Sequence, residues 1–415
     1  MNKILTGIDI GTDSIKIIVV EKIRNEFHLL ATTKVKSSGV KRGEIIDTKK
    51  VVEKVKKAIN NIENQIGTSL KKVVLCISPK NCIFNIVSGE LKFKEPKVIN
   101  GNDIQKLIKK SISNKTTKDY ELVTAIPINF KIDNDKTVKD PKGIEASTLE
   151  VKAVISETPR ESLYNFLGVL DVCGLEVIDI AYTTTGDYFA VRNSDLDKKV
   201  GVVINIGEDS TNISLYNKGI MIKNSTINVG SFYIDHDLSY IYNIDLEKAR
   251  ELKEKFVVAS SRYADIYDKI ELETNGGTKY NVTQMDVSKV VEARIEEILK
   301  VAKKEIKNLT NRKISYIIVV GGLSEITGFN YLIENVLGNL AYTYNSTIIG
   351  LRDNSFTSVL GLIKYFDNKS NLRNVEFDMF SQEDMKKIIN VRSKDNKEFQ
   401  KVFDYFLQNK EDKVC

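Results

Sequence analysis

The chain has 415 residues, 42% hydrophobic and 28% charged, with only 5 prolines and 23 glycines. That length points to two or more domains, and the composition excludes a disordered or collagen-like chain. The net charge of +6, from 62 basic against 56 acidic residues, is too small for a dedicated nucleic-acid binder, and two histidines, His28 and His236, argue against a His-rich zinc site or a Ser-His-Asp triad.

The first residues, Met1–Leu5, run straight into a strand-like segment. Ile4–Ile10 is apolar, Gly11-Thr12-Asp13-Ser14 is a turn, and Ile15–Val20 and Phe27–Thr33 continue a three-strand meander. A lysine-rich helix is predicted over Thr48–Ile66, with Val51, Val52, Val55, Ile59, Ile62 and Ile66 on one face and Lys49, Lys50, Lys54, Lys56 and Lys57 on a solvated one. Lys71–Ile77 reads as a strand. From Asn85 to Ile155 short strands alternate with a helix near Asp103–Ser113, which suggests a small inserted α+β unit. Helices follow at Glu161–Cys173 and Thr185–Arg192, separated by the strand Glu176–Ala181. The opening theme then returns: the strand Val200–Ile206, the turn Gly207-Glu208-Asp209-Ser210-Thr211, and the strands Asn212–Tyr216 and Met221–Asn228. Helices near Asp245–Lys255 and Val287–Lys307 precede the buried strand Ser315–Val320, the pair Gly321-Gly322 and the closing stretch Phe356–Phe366. Cys76, Cys82, Cys173 and Cys415 form no CxxC pair, so free thiols in a reducing cytosol are expected. No signal peptide and no run of about 18 apolar residues is visible.

A Gly-bearing turn between strands exposes consecutive backbone N–H groups, an arrangement suited to phosphate. Asp9 stands just before the first turn, where a carboxylate can hold a hydrated magnesium ion, which keeps several waters and takes one or two carboxylates. Thr12 and Ser14 add hydroxyls, and Lys16 adds a positive charge. Taken alone, such a turn is more often an ordinary β-turn. Two of them, each opening a similar meander, suggest a polyphosphate gripped between two lobes. Gly321-Gly322 lets a backbone approach a flat ligand closely, or ends its strand in a plain turn.

In this order these residues resemble the actin-like ATPases, and among them the FtsA family of bacterial division proteins. Gly7-Ile8-Asp9-Ile10-Gly11-Thr12 with Lys16 is similar to the family's first phosphate loop, and Lys41–Asp47 to the stretch before its first helix. Ala125–Phe130, Asp140-Pro141 with Gly143, and Leu149–Val151 resemble the family's own inserted subdomain. Gly207 and Thr211 match the second phosphate loop, Gly230 one glycine of a following pair, Ala249, Leu252 and Lys253 a helix framing the adenosine, and Gly321, Gly322 and Gly328 the adenosine loop. The departures are Asn205 where Asp is usual, Glu208 and Asp209 where glycines are common, Asn212 for Asp, Leu323 for a third glycine, and Arg250 for an acid over the ribose. Two carboxylates beside a polyphosphate repel it unless they point to solvent. No catalytic base is identified, and Asp187 reads as a helix-surface residue.

The resemblance implies an α/β, actin-like (ribonuclease H-like) two-lobed fold with an FtsA-type α+β insertion and a C-terminal amphipathic helix. Residues 1–85, 160–198 and 351–366 would form the first lobe and 86–159 the insertion. Residues 199–228 and 312–350 would form the second lobe and 229–311 its subdomain, with 367–395 as a linker. At the end, Phe399, Val402, Phe403, Phe406 and Leu407 fall at i, i+3, i+4, i+7 and i+8, one apolar stripe on a helix over 396–411. Such a stripe can dock on the core or lie in a membrane interface, and Lys386, Lys387, Arg392 and Lys394 favour the membrane. The implied nucleotide site comprises Asp9, Gly11, Thr12, Ser14, Lys16, Asn205, Gly207, Thr211, Gly230, Lys253, Gly321 and Gly322, with ATP and a magnesium ion at Asp9. Hydrolysis would be slow or absent, because the amide of Asn205 brings no charge. Implied partners are the C-terminal peptide of FtsZ, the cytoplasmic membrane face, other copies of the chain in filaments and further division proteins at the septum, but no nucleic acid. A pilus-assembly adaptor of the same class, a divergent paralogue and a small-molecule kinase are the alternatives.

Overall fold

A computed structural model of the chain describes residues 3–391 apart from 114, 374, 376 and 389. The expected terminal helix and its stripe, Phe399, Val402, Phe403, Phe406 and Leu407, lie outside the described residues.

Strands β1 (Lys3–Ile10), β2 (Ser14–Ile23) and β3 (Glu26–Lys36) form the opening antiparallel meander, and a short ladder β4 (Val40–Lys41) and β5 (Glu44–Ile45) follows. Helix α1 spans Thr48–Ile66 as the periodicity predicts. Asp47 caps it by accepting from the Lys50 amide, and Gly67 ends it in the left-handed region. Val51, Val55, Ala58, Ile59, Ile62 and Ile66 are its buried face, while Lys49, Lys50, Lys56 and Lys57 face solvent. Strand β6 (Lys72–Ile77) returns parallel to β1. The inserted unit then runs through β7 (Ile83–Val98), α2 (Gly101–Ile112), β8 (Tyr120–Ile132), β9 (Lys136–Val138) and β10 (Glu145–Pro159). It is an antiparallel sheet in the order β7-β10-β8-β9, with its own core around Ile104, Leu107, Phe130 and Leu149.

Helix α3 (Arg160–Val172) leads to β11 (Glu176–Tyr182), and α4 (Thr183–Val191) carries the chain to the second lobe. There β12 (Val200–Ile206), β13 (Thr211–Asn217) and β14 (Ile220–Ile227) form the second meander. Helices α5 (Phe232–Tyr242) and α6 (Leu246–Lys255), hairpin β15 (Lys269–Glu273) with β16 (Lys279–Thr283), and the long α7 (Gln284–Leu309) are packed beside it. Strand β17 (Tyr316–Val320), α8 (Phe329–Leu337) and β18 (Ala341–Thr343) complete the sheet, and α9 (Thr357–Arg373) returns to the first lobe.

The two large sheets have the same plan. Their orders are β11-β6-β1-β2-β3 and β14-β13-β12-β17-β18. In each, the meander's first strand lies at the centre and pairs in parallel with a strand that follows a helix. Both meander turns therefore sit at the same end of equivalent central strands, which sets them opposite each other. Helices α4 and α9 cross between the sheets. Tyr188 on α4 stacks on Tyr216 of β13 at 4.2 Å between centroids, which fastens α4 to the second sheet.

One expectation is corrected. The segment 367–395 was predicted to be a linker, yet α9 continues to Arg373. Beyond it, Met379, Phe380 and Ile388 are buried in the first-lobe core, and Thr68 donates a 2.6 Å hydrogen bond to Asp384. The segment is polar in composition, but these three apolar side chains suffice to seat it.

Candidate functional site

Between the lobes lies a cleft of about 410 Å3. Its walls are the two meander turns, the residues after β17, and residues 353–358 at the start of α9. The turns are chemically alike: the Gly11 amide donates to the Ser14 carbonyl at 3.1 Å, and the Gly207 amide to the Ser210 carbonyl at 2.9 Å. Of the predicted residues, Asp9, Gly11, Thr12, Lys16, Asn205, Gly207, Lys253, Gly321 and Gly322 line the cleft. Ser14, Thr211 and Gly230 do not. Ser14 is buried under the first turn, and Thr211 is fully buried with its hydroxyl donating to the Val229 carbonyl at 2.7 Å. Gly230 serves close packing: a Cβ there would lie 2.4 Å from the Glu208 carbonyl oxygen and 2.5 Å from that of Gly207. Those two carbonyls accept from the Phe232 and Ser231 amides, which holds the start of α5 against the second turn.

Asp9 and Lys16 form an ion pair at 3.1 Å across the β1–β2 register. Burial opposes the Lys16 charge, but the Asp9 carboxylate, with Asp13 and Asp353 adding to it, leaves the lysine pKa raised. Lys253 lines the cleft with its ammonium committed to Asp235 at 2.6 Å.

Glu208 was expected to repel a polyphosphate unless it faced solvent. It does neither, because Arg250 neutralises it. The Arg250 guanidinium donates to Glu208, to Asp13 at 3.0 Å and to Asp235 at 3.3 Å. Burial pushes the Glu208 carboxyl up, against the pull of Arg250. Asp13 belongs to the first turn and Glu208 to the second, so Arg250 ties the lobes together across the cleft mouth. A second tie runs from the Arg42 amide to the Asp209 carboxylate at 3.2 Å. Arg250→Ala would leave Glu208 buried without its cation. The expected loss is about 1–3 kcal/mol, reduced from the full cost of a broken buried pair because Arg250 stays partly exposed. Thermal melts should show it, with recovery when Glu208→Gln is added; a variant that melts with the wild type would refute the tie.

Asp187 is the main residue that sequence reasoning misplaced. It is buried, not on a helix surface. Its Oδ2 accepts from Asn205 Nδ2 at 2.8 Å, and its Oδ1 from the Ser358 hydroxyl at 2.6 Å. Burial pushes its pKa up to about 7, against the pull of those two hydrogen bonds. One signal was available: Asp187 is the only charged residue in Thr183–Val191, so the helix has no charged face to turn to solvent.

The cleft fits a phosphorylated ligand with a hydrated magnesium ion. Among the described residues no cluster of three or more His, Cys, Asp or Glu could cage a metal. Magnesium needs no such cage, since it keeps its waters and takes one or two carboxylates, and Asp9 on the cleft wall would be the one to hold it. Asn354 Oδ1 and Ser355 Oγ are buried without a hydrogen-bond partner, and both residues line the cleft, as expected of groups shaped for a polar ligand.

Comparison with known proteins agrees with this architecture. Residues 202–361 match the family described as "Cell division protein FtsA", and residues 82–156 match "SHS2 domain inserted in FTSA". The chain is 26% identical over 370 residues to the cell division protein FtsA of Bacillus subtilis (strain 168), covering 88% of this chain and 83% of that one. It is also 26% identical over 372 residues to FtsA of Streptococcus pneumoniae serotype 2, covering 87% and 79%. Among solved structures, a PilM-PilN type IV pilus biogenesis complex superposes with a TM-score of 0.60 at 15% identity, over 90% of this chain and 99% of that one. MreB5 of Spiroplasma citri bound to ADP superposes at 0.54 and 11% identity, over 90% and 99%. These likenesses show the actin-like fold, and the sequence matches show the family.

Proposed function

The chain belongs to the FtsA family of cell division proteins, and from that premise we propose that it binds ATP with magnesium between its lobes and links division filaments to a membrane surface. The observation that carries the nucleotide reading is the pair of facing turns with the same internal hydrogen bond. Gly11, Thr12 and Lys16 from one side, and Gly207 and Ser210 from the other, would hold the phosphates. Asp9 would hold the hydrated ion, which neutralises phosphate charge when bound. Lys253, Gly321 and Gly322 would frame the base and ribose. Ser14, Thr211 and Gly230 would act beneath the surface by fixing the loops.

Bound nucleotide bridges the two lobes across the cleft, so it favours the closed arrangement and the chain's self-association into filaments. Hydrolysis is slow or absent, because Asn205 offers an amide where a charged oxygen would act. The subdomain over 229–311 takes the C-terminal peptide of FtsZ. The apolar stripe of Phe399, Val402, Phe403, Phe406 and Leu407 lies in the membrane interface, so the protein is peripheral, on the cytoplasmic side, at the division site. Among the described residues no helix is long and apolar enough to cross a membrane.

The test is imaging of a fluorescent fusion with and without residues 396–415. A ring at midcell that becomes diffuse on truncation is expected; a uniform signal from the intact protein would overturn the reading. Pull-down on the FtsZ peptide, with and without residues 229–311, separates filament binding from membrane binding.

A further inference from the structure

We infer that Asp187, which does not line the cleft, is a positioning residue for the nucleotide site: it fixes the Asn205 amide with its oxygen outward and places a negative charge directly behind it. This rests on the nucleotide reading proposed above.

The geometry leaves the Asn205 amide one sensible orientation. Its NH2 group meets Asp187 Oδ2 at 2.8 Å and Ser358 Oγ at 3.2 Å. The Ser358 hydroxyl is itself committed, donating to Asp187 Oδ1 at 2.6 Å. Were the amide reversed, its carbonyl oxygen would face the Asp187 carboxylate, acceptor against acceptor, and both amide protons would lose their partners. The amide oxygen is therefore held toward the cleft wall, 3.0 Å from where a Cβ of Gly321 would sit. An amide oxygen so held accepts from a water on a hydrated cation. An ionised carboxylate one hydrogen bond behind polarises that amide and supplies the charge that position 205 lacks. Groups that orient a ligand from behind commonly contribute about 10–100-fold to metal affinity.

The same contact changes what is expected of the obvious repair. Asn205→Asp alone would set two carboxylates against each other in a buried place, so one must take up a proton or turn away. The productive repair is the exchange Asp187→Asn with Asn205→Asp. The amide introduced at position 187 can donate to the carboxylate introduced at position 205 and accept from Ser358, and the single charge returns, now on the cleft side.

The experiment measures ATP affinity at pH 8 with magnesium and with EDTA, for the wild type, Asp187→Asn, Asn205→Asp and the double variant. Asp187→Asn is close in shape and removes the charge behind Asn205, and where its own NH2 group takes the place of Oδ2 it also reverses the Asn205 amide, turning that NH2 outward. Its magnesium-dependent affinity should fall about tenfold or more while the EDTA value stays within about twofold. The double variant should recover most of the loss, and Asn205→Asp alone should not. If Asp187→Asn leaves both affinities unchanged, or lowers both in parallel, the inference is overturned and Asp187 is merely structural. Should Asp187→Asn fail to fold, the double variant decides: magnesium-dependent affinity no better than that of Asn205→Asp overturns the inference. A wild type that binds no ATP with magnesium would instead sink the nucleotide reading, and this inference with it.

Discussion

Replacing Gly361 with alanine should lower the melting temperature by at least about 3–4 °C or abolish soluble expression. A Cβ at Gly361 would lie 1.7 Å from the Gly186 carbonyl oxygen and 2.6 Å from the Ala190 amide nitrogen. From the other side, a Cβ at Gly186 would lie 2.0 Å from the Ser358 carbonyl oxygen. Every obstructing atom is backbone, so no flexible side chain can yield, and α4 and α9 would have to separate. Overpacking of an ordinary core costs about 1–3 kcal/mol because side chains rearrange; here the cost should sit at or above that upper end. The control is Gly168→Ala on α3, where a Cβ meets nothing within 4 Å. That change should raise stability by about 0.5–1 kcal/mol through helix propensity alone. Equal melting of the two variants would mean that the helices do not touch at these glycines. Because Ser358 and Asp187 sit at the same crossing, Gly361→Ala should also weaken nucleotide binding.

Asp187→Asn should stabilise the fold at alkaline pH while damaging the site. The carboxyl titrates near 3.8 in the unfolded chain and at about 7 when buried. Between those values the folded chain binds the proton more tightly than the unfolded one. Stability from this group is therefore lost as pH rises from about 4 to about 7 and stays level above that. The shift sets an upper limit on the order of 4 kcal/mol, and the hydrogen bonds that asparagine cannot reproduce reduce the gain. Melting curves of the variant and the wild type should converge near pH 4 and separate by pH 8, with the variant higher. A constant offset across that range would show that Asp187 is not a buried, ionising group.

What could be read in the sequence was what local chemistry decides. The turns at Gly11 and Gly207 announce themselves because a glycine, a short polar run and flanking β-branched strands are neighbours in the chain. Helix α1 was legible to its ends because Asp47, the apolar spacing and Gly67 all lie within it or beside it. Asp187 was not, since Ser358, which covers it, comes 171 positions later. The role of Arg250 was hidden in the same way, with Asp13 lying 237 positions away. Glu208 looked like a bare charge beside a phosphate only because its cation arrives from another helix. Helices α5 and α8 and the hairpin of β15 and β16 went unpredicted, although α8 buries Phe329, Leu332, Ile333, Val336 and Leu337 at i, i+3, i+4, i+7 and i+8, a spacing that was there to be read.

The seating of Met379, Phe380 and Ile388 also sets the length of a leash. A Cβ on Gly67 would sit 2.8 Å from Val391 Cγ2, so the described chain ends beside the last turn of α1. From Val391 to Phe399, covalent geometry allows at most about 30 Å, against more than about 100 Å had the whole stretch from 367 been free. A compact body of this size has a radius of gyration of about 22 Å. The longer tether would let the molecule tumble above a surface and present any side. If the apolar stripe grips a surface as proposed, the shorter one would keep the first lobe within about its own radius of that surface, with the α1 end nearest. Neighbouring copies would then stand at one height and in one attitude before any contact forms between them.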